Sequence, residues 1–374
     1  MAGLYVHVPF CKQACSYCNF HFSTNLNGID RLVDALLKEL TLRNDYLNGH
    51  HIESIYLGGG TPSLLNEGQL NKIISAISQV FTVVRTAEIT LEANPDDLDN
   101  DKLRMLAASP VNRLSIGVQS FRDQDLSFMH RAHNASQALA SIENSLKFGF
   151  ENLSVDLIYG IPGLSMNDWR NNLGSLVALG VPHWSCYSLT IEPQTLLSHL
   201  IQKKKVAPVQ DEIVERHFLA LIEFAAKYGY DHYEISNFSK PMYVARHNVN
   251  YWRQKPYLGL GPSAHSFDGK SRSWNVANNA RYLREIEESS LPLTTEVLTP
   301  DQRYNEYVMT GLRTKWGCNG KDLVVFGSHY ESHFLNQLIP FKNQGWLVEK
   351  DGVFTLTTAG KLFADHIASE LFIV

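Results

Sequence analysis

The chain has 374 residues, long enough for one large domain plus a small one, and is 44% hydrophobic and 19% charged. That composition excludes a collagenous, mucin-like or mainly disordered chain, and a net charge of −5 gives no electrostatic warrant for a nucleic-acid binder or an anchor on acidic lipid. No stretch reaches the roughly 18 apolar residues of a membrane span, the N-terminus lacks a secretory pattern, and five cysteines, an odd number, describe no disulfide framework, so a reducing cytosol is the expected compartment.

Read in chain order, the first two thirds repeat one unit, a short β-rich apolar run followed by a turn and a segment with helical spacing. The predicted strands are 4–8, 52–57, 87–93, 113–118, 153–159 and 184–189, and the helical patterns are 30–46, 67–81, 99–107, 136–148, 166–178 and 211–228. Strict alternation implies right-handed crossovers and a parallel sheet. Six units are too few to close a full barrel, so the expected fold is α/β, a partial (β/α)6 barrel over residues 1–235 with its chemistry at the carboxyl ends of the strands. A further strand at 230–235 leads into a loop-rich extension, 236–300, in which 292–300 reads as a linker. The tail, 301–374, reads as helices around a hairpin with a type I′ turn at Asp351-Gly352. That order is winged-helix-like, but residues 321–374 hold four bases against six acids, so a packing or docking role is expected there and not DNA reading.

Cys11, Cys15 and Cys18 fall within eight residues directly after the first strand, while Cys186 and Cys318 stand alone and read as ordinary thiols. Three soft ligands on one loop at the mouth of a sheet call for a metal or a cluster. His21 could complete a Cys₃His zinc set; a [4Fe–4S] cube held by three cysteines would keep one iron open to an exchangeable ligand. Gly58-Gly59-Gly60-Thr61 follows the second predicted strand, where backbone N–H groups can approach a ligand closely. Glu92 ends the third strand and could pair with a cationic ligand group, or simply with a salt-bridge partner or the helix start near Asp96. Asp156 interrupts an apolar run, and a carboxylate buried without a partner is costly, so a ligand hydroxyl is expected beside it.

The C-x₃-C-x-Y-C loop is the signature of the radical S-adenosylmethionine (SAM) superfamily, and the chain resembles that superfamily along its whole length. Y-x-H-x-P-F-C from Tyr5, G-G-G-T-P from Gly58 and E-x-N-P from Glu92 narrow the resemblance to the branch that holds the oxygen-independent coproporphyrinogen oxidases and the HemW heme chaperones. The resemblance implies a [4Fe–4S] cluster on Cys11, Cys15 and Cys18, with SAM chelating the fourth iron. It also implies that Gly59, Gly60 and Thr61 line the amino-acid end of SAM, that Gln119 and Arg131 approach it, that Asp156 meets its ribose, and that Tyr5 packs beside the cluster.

Within that branch, Cys18 is followed by Asn19-Phe20 and not by a further cysteine, and the first strand begins near Leu4 without the oxidases' N-terminal extension. His247-Asn-Val-Asn-Tyr251-Trp252 matches the H-N-x-x-Y-W motif of the heme chaperones. An imidazole can ligate heme iron while Tyr251 and Trp252 offer flat faces to the macrocycle, with His7, His130, His133 and His265 as competing imidazoles. The resemblance therefore implies a carrier that binds heme and passes it to an acceptor hemoprotein, including a membrane-bound respiratory one, and that can form a homodimer. An enzyme oxidising coproporphyrinogen III or another tetrapyrrole through the same cofactors is the alternative, and a zinc-stabilised binding protein the third.

Overall fold

The computed structural model describes residues 1–374. Six strands, β1 (Ala2–Val8), β2 (Ile52–Gly59), β3 (Val83–Ala93), β4 (Arg113–Gln119), β5 (Leu153–Tyr159) and β6 (His183–Ser188), pair in parallel and in chain order. Their alternation separates two faces. Leu4, Val6 and Val8 of β1, like Ile55 and Leu57 of β2, are completely buried beneath the helical layer. The opposite face carries Tyr5, Tyr56, Glu92 and Asp156, which look into the sheet's concave interior. The connecting helices are amphipathic: Ile29–Leu42 buries Leu32, Val33, Leu36 and Leu40 along one stripe. Glu67–Val80 and Ala135–Lys147 each begin with a complete capping box, from Asn66 with Gln69 and from Asn134 with Gln137.

The barrel stays open, as expected, because both edges of the six-stranded sheet are taken by other strands. Beyond β6 lie β7 (Asp231–Glu234) and β8 (Asn237–Ser239), with β8 antiparallel to β6 and β7 outermost. Beyond β1 lie β9 (Tyr257–Leu260), β10 (His265–Phe267), β11 (Ser271–Asn275) and β12 (Leu293–Val297), which bring the sheet to twelve strands. β9 is parallel to β1, and the rest of this edge is antiparallel.

This edge is where the sequence reading departs furthest from the structure. The segment expected to be loop-rich forms strands of three to five residues and two helices, Arg246–Trp252 and Asn279–Glu287. Strands this short, punctuated by Gly259, Gly261 and Gly269, give too few residues for a period-2 signal. The expected linker contains β12, an edge strand with one solvent-facing side whose residues are mostly exposed, so no apolar alternation marks it.

A buried ion pair fastens this edge to the barrel. Glu39 and Arg43, one turn apart on helix Ile29–Leu42 and just past its end, are buried with Arg43 Nη1 3.3 Å from Glu39 Oε1. Arg43 also donates to the Gly259 carbonyl at 3.1 Å and to Ser266 Oγ at 3.0 Å. Glu39 accepts from Gly261 N at 2.8 Å, Asn275 Nδ2 at 2.7 Å and the Tyr282 hydroxyl at 2.6 Å. Two charges thus reach β9, β10, β11 and helix Asn279–Glu287.

The C-terminal part packs a second core of 16 buried residues, apart from the main core of 59. It contains helices Pro300–Leu312, Ser328–Gln337 and Ala364–Glu370 around a three-stranded sheet of β13 (Cys318–Asn319), β14 (Leu347–Lys350) and β15 (Val353–Leu356). Asp351 and Gly352 both have positive φ, 55° and 79°, as the hairpin turn requires. Cys186 and Cys318 are buried and free. Removing one partner of a buried, multiply bonded pair leaves the other charge uncompensated. Arg43→Ala is therefore expected to destabilise the chain by about 3–5 kcal/mol, seen as a lower urea midpoint, whereas Arg31→Ala, at an exposed pair with Glu287, should change it by less than about 1 kcal/mol.

Candidate functional site: the mouth of the open barrel

β1 feeds directly into the cysteine loop, and backbone bonds pin the loop over the ends of β1 and β2. Cys11 N donates to Ser23 O at 3.0 Å, Thr61 N to Phe10 O at 2.7 Å and Gly60 N to Val8 O at 3.1 Å. The glycine run explains how the two segments come so close. A Cβ on Gly60 would lie 2.6 Å from Val8 O and 2.7 Å from Phe10 N, and one on Gly59, whose φ is +103°, would lie 2.5 Å from the His7 ring. Only glycine permits that approach. On the far side, Ser16 N bonds to Met129 O and Gln13 to His130 O, which ties the loop to the segment after β4.

All three thiols of the loop are partly exposed. Cys11 is pushed up to about 11 by burial, with the neighbouring Cys18 and Cys15 adding to the rise and a bond to Thr61 opposing it. No three of the chain's His, Cys, Asp and Glu side chains are gathered so as to hold a single metal ion. A cube spreads its thiolates over separate iron atoms and asks for wider spacing. Arg131 lies behind the loop, donating from Nη1 to Cys15 Sγ at 3.2 Å and from Nη2 to Asn94 Oδ1 at 2.6 Å and Gly117 O at 2.7 Å. Its Nε and Asp96 Oδ1 are buried at the mouth without a partner. A soft donor set with unsatisfied polar atoms around it fits a cluster and a polar ligand on its open iron.

Glu92 is fixed by the Tyr56 hydroxyl at 2.7 Å and Gly59 N at 3.0 Å. Burial raises its pKa, and these two bonds oppose the rise. Asp156 is pushed up to about 7 by burial, with the charge of Glu92 adding to it, while Ser115 Oγ at 3.3 Å, the charge of Arg113 and Ser185 hold it down only in part. The two carboxylates face the interior from β3 and β5, and each is under-compensated. Such a pair suits a ligand that brings a cation and hydroxyl donors. Gln119 ends β4 with φ 68°, a left-handed turn that breaks the β4–β5 register beside Gly117. Tyr5, Gly59, Gly60, Thr61, Glu92, Gln119, Arg131 and Asp156 thus stand around one mouth. Tyr56 belongs to that set and was missed, although strand parity places it on the face of Gly58, two residues on.

The His247 motif forms helix Arg246–Trp252, whose first N–H groups are capped by Glu88 of β3: Arg246 N at 3.0 Å and His247 N at 2.9 Å. His247 departs from the expected role of an open iron ligand. It is 1% exposed, its Nδ1 shares a 2.8 Å bond with Ser54 Oγ and its Nε2 a 2.9 Å bond with the Tyr251 hydroxyl, and burial pushes its pKa down to about 3. Its ring stacks on Tyr56 at 5.1 Å. Tyr251 and Trp252 do reach a cavity, of about 610 Å³, between the end of the cysteine loop, β1, β9 to β11 and helix Pro300–Leu312. Of the competing histidines, His7 and His265 line this cavity, whereas His133 is buried and bonded to Val118 O.

An open parallel barrel with three loop cysteines at its mouth defines a radical SAM protein, and residues 5–175 match the Radical SAM superfamily. The heme chaperone HemW of Bacillus subtilis is 32% identical over 372 residues, 98% of this chain and 98% of its own length. The heme chaperone HemW of Escherichia coli K12 is 32% identical over 387 aligned residues, covering 99% and 98% of the two chains. Coproporphyrinogen III oxidase (HemN) from Escherichia coli shares the fold, with a TM-score of 0.85 at 23% identity over 99% of this chain and 90% of that one. The chain belongs to the HemW heme-chaperone family of the radical SAM superfamily, as its motifs led one to expect.

The pKa of Asp156 carries a test. Its folded value, about 7, lies above the ordinary 3.8, so the folded chain holds a proton that the unfolded chain releases. Stability therefore falls as pH rises from about 4 to about 7, and the full penalty persists above that. Asp156→Asn removes the penalty. The ligand-free variant should melt a few degrees above wild type at pH 8 and together with it near pH 4; equal melting at both pH values would show that Asp156 ionises there without cost.

Proposed function

We propose that this protein is a cytosolic heme carrier that takes up one heme and passes it to an acceptor hemoprotein. We further propose that Cys11, Cys15 and Cys18 hold a [4Fe–4S] cluster, and that SAM occupies the mouth lined by Gly59, Gly60, Thr61, Glu92, Gln119, Arg131 and Asp156. The observation that carries the reading is a large aromatic cavity, with Tyr251 and Trp252 in its wall, directly beside the cysteine loop of a HemW family member. When bound, the cluster and SAM can together supply one-electron chemistry. The chain's own Cys11, Cys15 and Cys18 would hold the cluster at the mouth, while Glu92 and Asp156 face the interior and Arg131 is seated against Cys15.

The polar interior, with Glu92 and Asp156 on its wall, favours a second reading in which a porphyrinogen is oxidised. Anaerobic reconstitution followed by heme titration separates the two when 5′-deoxyadenosine is measured with and without coproporphyrinogen under a low-potential reductant. Stoichiometric heme uptake with no porphyrinogen conversion is the expected result. Substrate-dependent 5′-deoxyadenosine with decarboxylated product would make the protein an oxidase.

The cluster assignment has its own readout. Cys11→Ala, Cys15→Ala and Cys18→Ala should each lose stoichiometric iron and sulfide together with the visible charge-transfer absorption, because two thiolates do not retain the cube. Cys186→Ala should keep all three signals, and a loop variant that retained iron and sulfide would refute the ligand set.

A further inference from the structure

Whether an imidazole can ligate iron depends on a free ring nitrogen, and the histidines near the cavity divide sharply on that point. His247 has both nitrogens engaged and lies behind Tyr251, outside the cavity wall. His7 is also fully engaged, with Nδ1 3.2 Å from the Tyr5 hydroxyl and Nε2 3.1 Å from His21 O. Two others line the cavity with a nitrogen to spare. His21 has its Nε2 2.7 Å from Asn279 Oδ1; a carboxamide oxygen only accepts, so Nε2 carries the proton and Nδ1 keeps its lone pair. An outer partner of this kind fixes tautomer and ring orientation, as it does for metal-binding imidazoles generally. His265, at the start of β10, makes no side-chain hydrogen bond, and its ring is steadied by stacking on Trp274 at 6.0 Å and 25°. Burial and the nearby Arg272 lower its pKa, a shift toward the neutral form of the ring.

The remaining wall suits a flat, partly anionic macrocycle. Tyr251, Trp252, Tyr257 and Phe267 supply aromatic surface, Phe20 is 69% exposed at the rim, and Arg272 contributes a cation. A volume of about 610 Å³ is of the order that small-molecule sites use. Resting on the heme-carrier reading above, we infer that His21 and His265 are the two imidazole ligands of heme iron in this cavity. His247 is a positioning residue, which holds the Tyr251 hydroxyl and sets that ring against the bound macrocycle.

The test is a ferric hemin titration of the full chain, read by Soret absorption and electron paramagnetic resonance, for wild type, His21→Ala, His265→Ala, the double variant and His247→Gln. Wild type should give a low-spin, bis-imidazole spectrum. Each single alanine variant should convert it to high spin and weaken affinity about tenfold or more, free imidazole should restore the low-spin form, and the double variant should lose both ligands. His247→Gln should keep the low-spin spectrum while lowering affinity. His21→Gln and His265→Gln, closer in size, repeat the ligand test should an alanine variant fail to fold by circular dichroism. A double variant with the wild-type spectrum and affinity, or a His247→Gln that alone turns high spin, overturns the assignment while the carrier reading stands. A wild-type chain that takes up no stoichiometric hemin overturns both.

Discussion

The parallel pairing of β9 with β1 is the constraint on which the rest of the molecule depends. An open six-stranded barrel presents a bare edge at β1, and β1 is also the strand that launches the cysteine loop. Covering that edge with β9 satisfies the backbone of β1 on both sides and carries β10, β11 and the His247 helix to the mouth. The pairing spans only four residues, Gly3 to Val6 against Tyr257 to Leu260, so strand hydrogen bonds alone are a thin connection. Glu39 and Arg43 thicken it. Placed on the first helix of the barrel, they bond to the backbone and side chains of β9, β10 and β11 from below, and their mutual compensation lets two charges sit where neither alone would be tolerated.

The same sheet shows a division of labour between its faces. The helix-facing side is a continuous apolar core and accounts for folding. The interior side is polar and partly frustrated: Glu92 and Asp156 are both raised by burial, and Asp156 has only weak bonds to relieve it. A chain selected for stability alone would not keep two carboxylates on that face, since each would be cheaper as an amide. Their retention is understandable when a ligand completes the compensation that the protein leaves undone. Arg131 on the same wall is satisfied in part, with bonds to Cys15, Asn94 and Gly117 that hold the loop in place while its Nε is left without a partner.

The six barrel strands and their helices were legible because each carries several turns or pleats of pattern, enough for periodicity to speak. The cysteine loop was legible because three soft ligands at close spacing have few structural explanations. Several things were not. Short strands such as β8 and β10, three residues each, carry less pattern than one period can certify. Tyr56 lies on the interior face by parity, yet a tyrosine in a strand reads equally as core. The cap that Glu88 gives the His247 helix comes from a residue 158 positions from Arg246, and local capping rules see only neighbours in sequence. His247 is the most instructive case. Its motif was recognisable, but the direction of an imidazole on a seven-residue helix is decided by Ser54 and Tyr251, and that is tertiary information.

The cysteine loop and the cavity are physically one structure. Asn19, Phe20 and His21 follow Cys18 directly and form part of the cavity wall, while Tyr5 and His7 of β1 look into it from beneath the loop. A second connection runs through the barrel: Glu92 holds the Tyr56 hydroxyl, Tyr56 stacks on His247, and His247 bonds to Tyr251 at the cavity. Any change that reshapes the loop moves residues 19–21, and any change in the bonding of Glu92 bears on the ring that supports Tyr251. A carrier needs a reason to hold its cargo in one state and release it in another, and differential contacts in two states are the only physical source of that difference. In this fold the parts that would sense cluster and cofactor are in van der Waals and hydrogen-bonded continuity with the parts that would grip a macrocycle. An enzyme's cofactor site and a carrier's pocket can therefore be served by one mouth without a new domain.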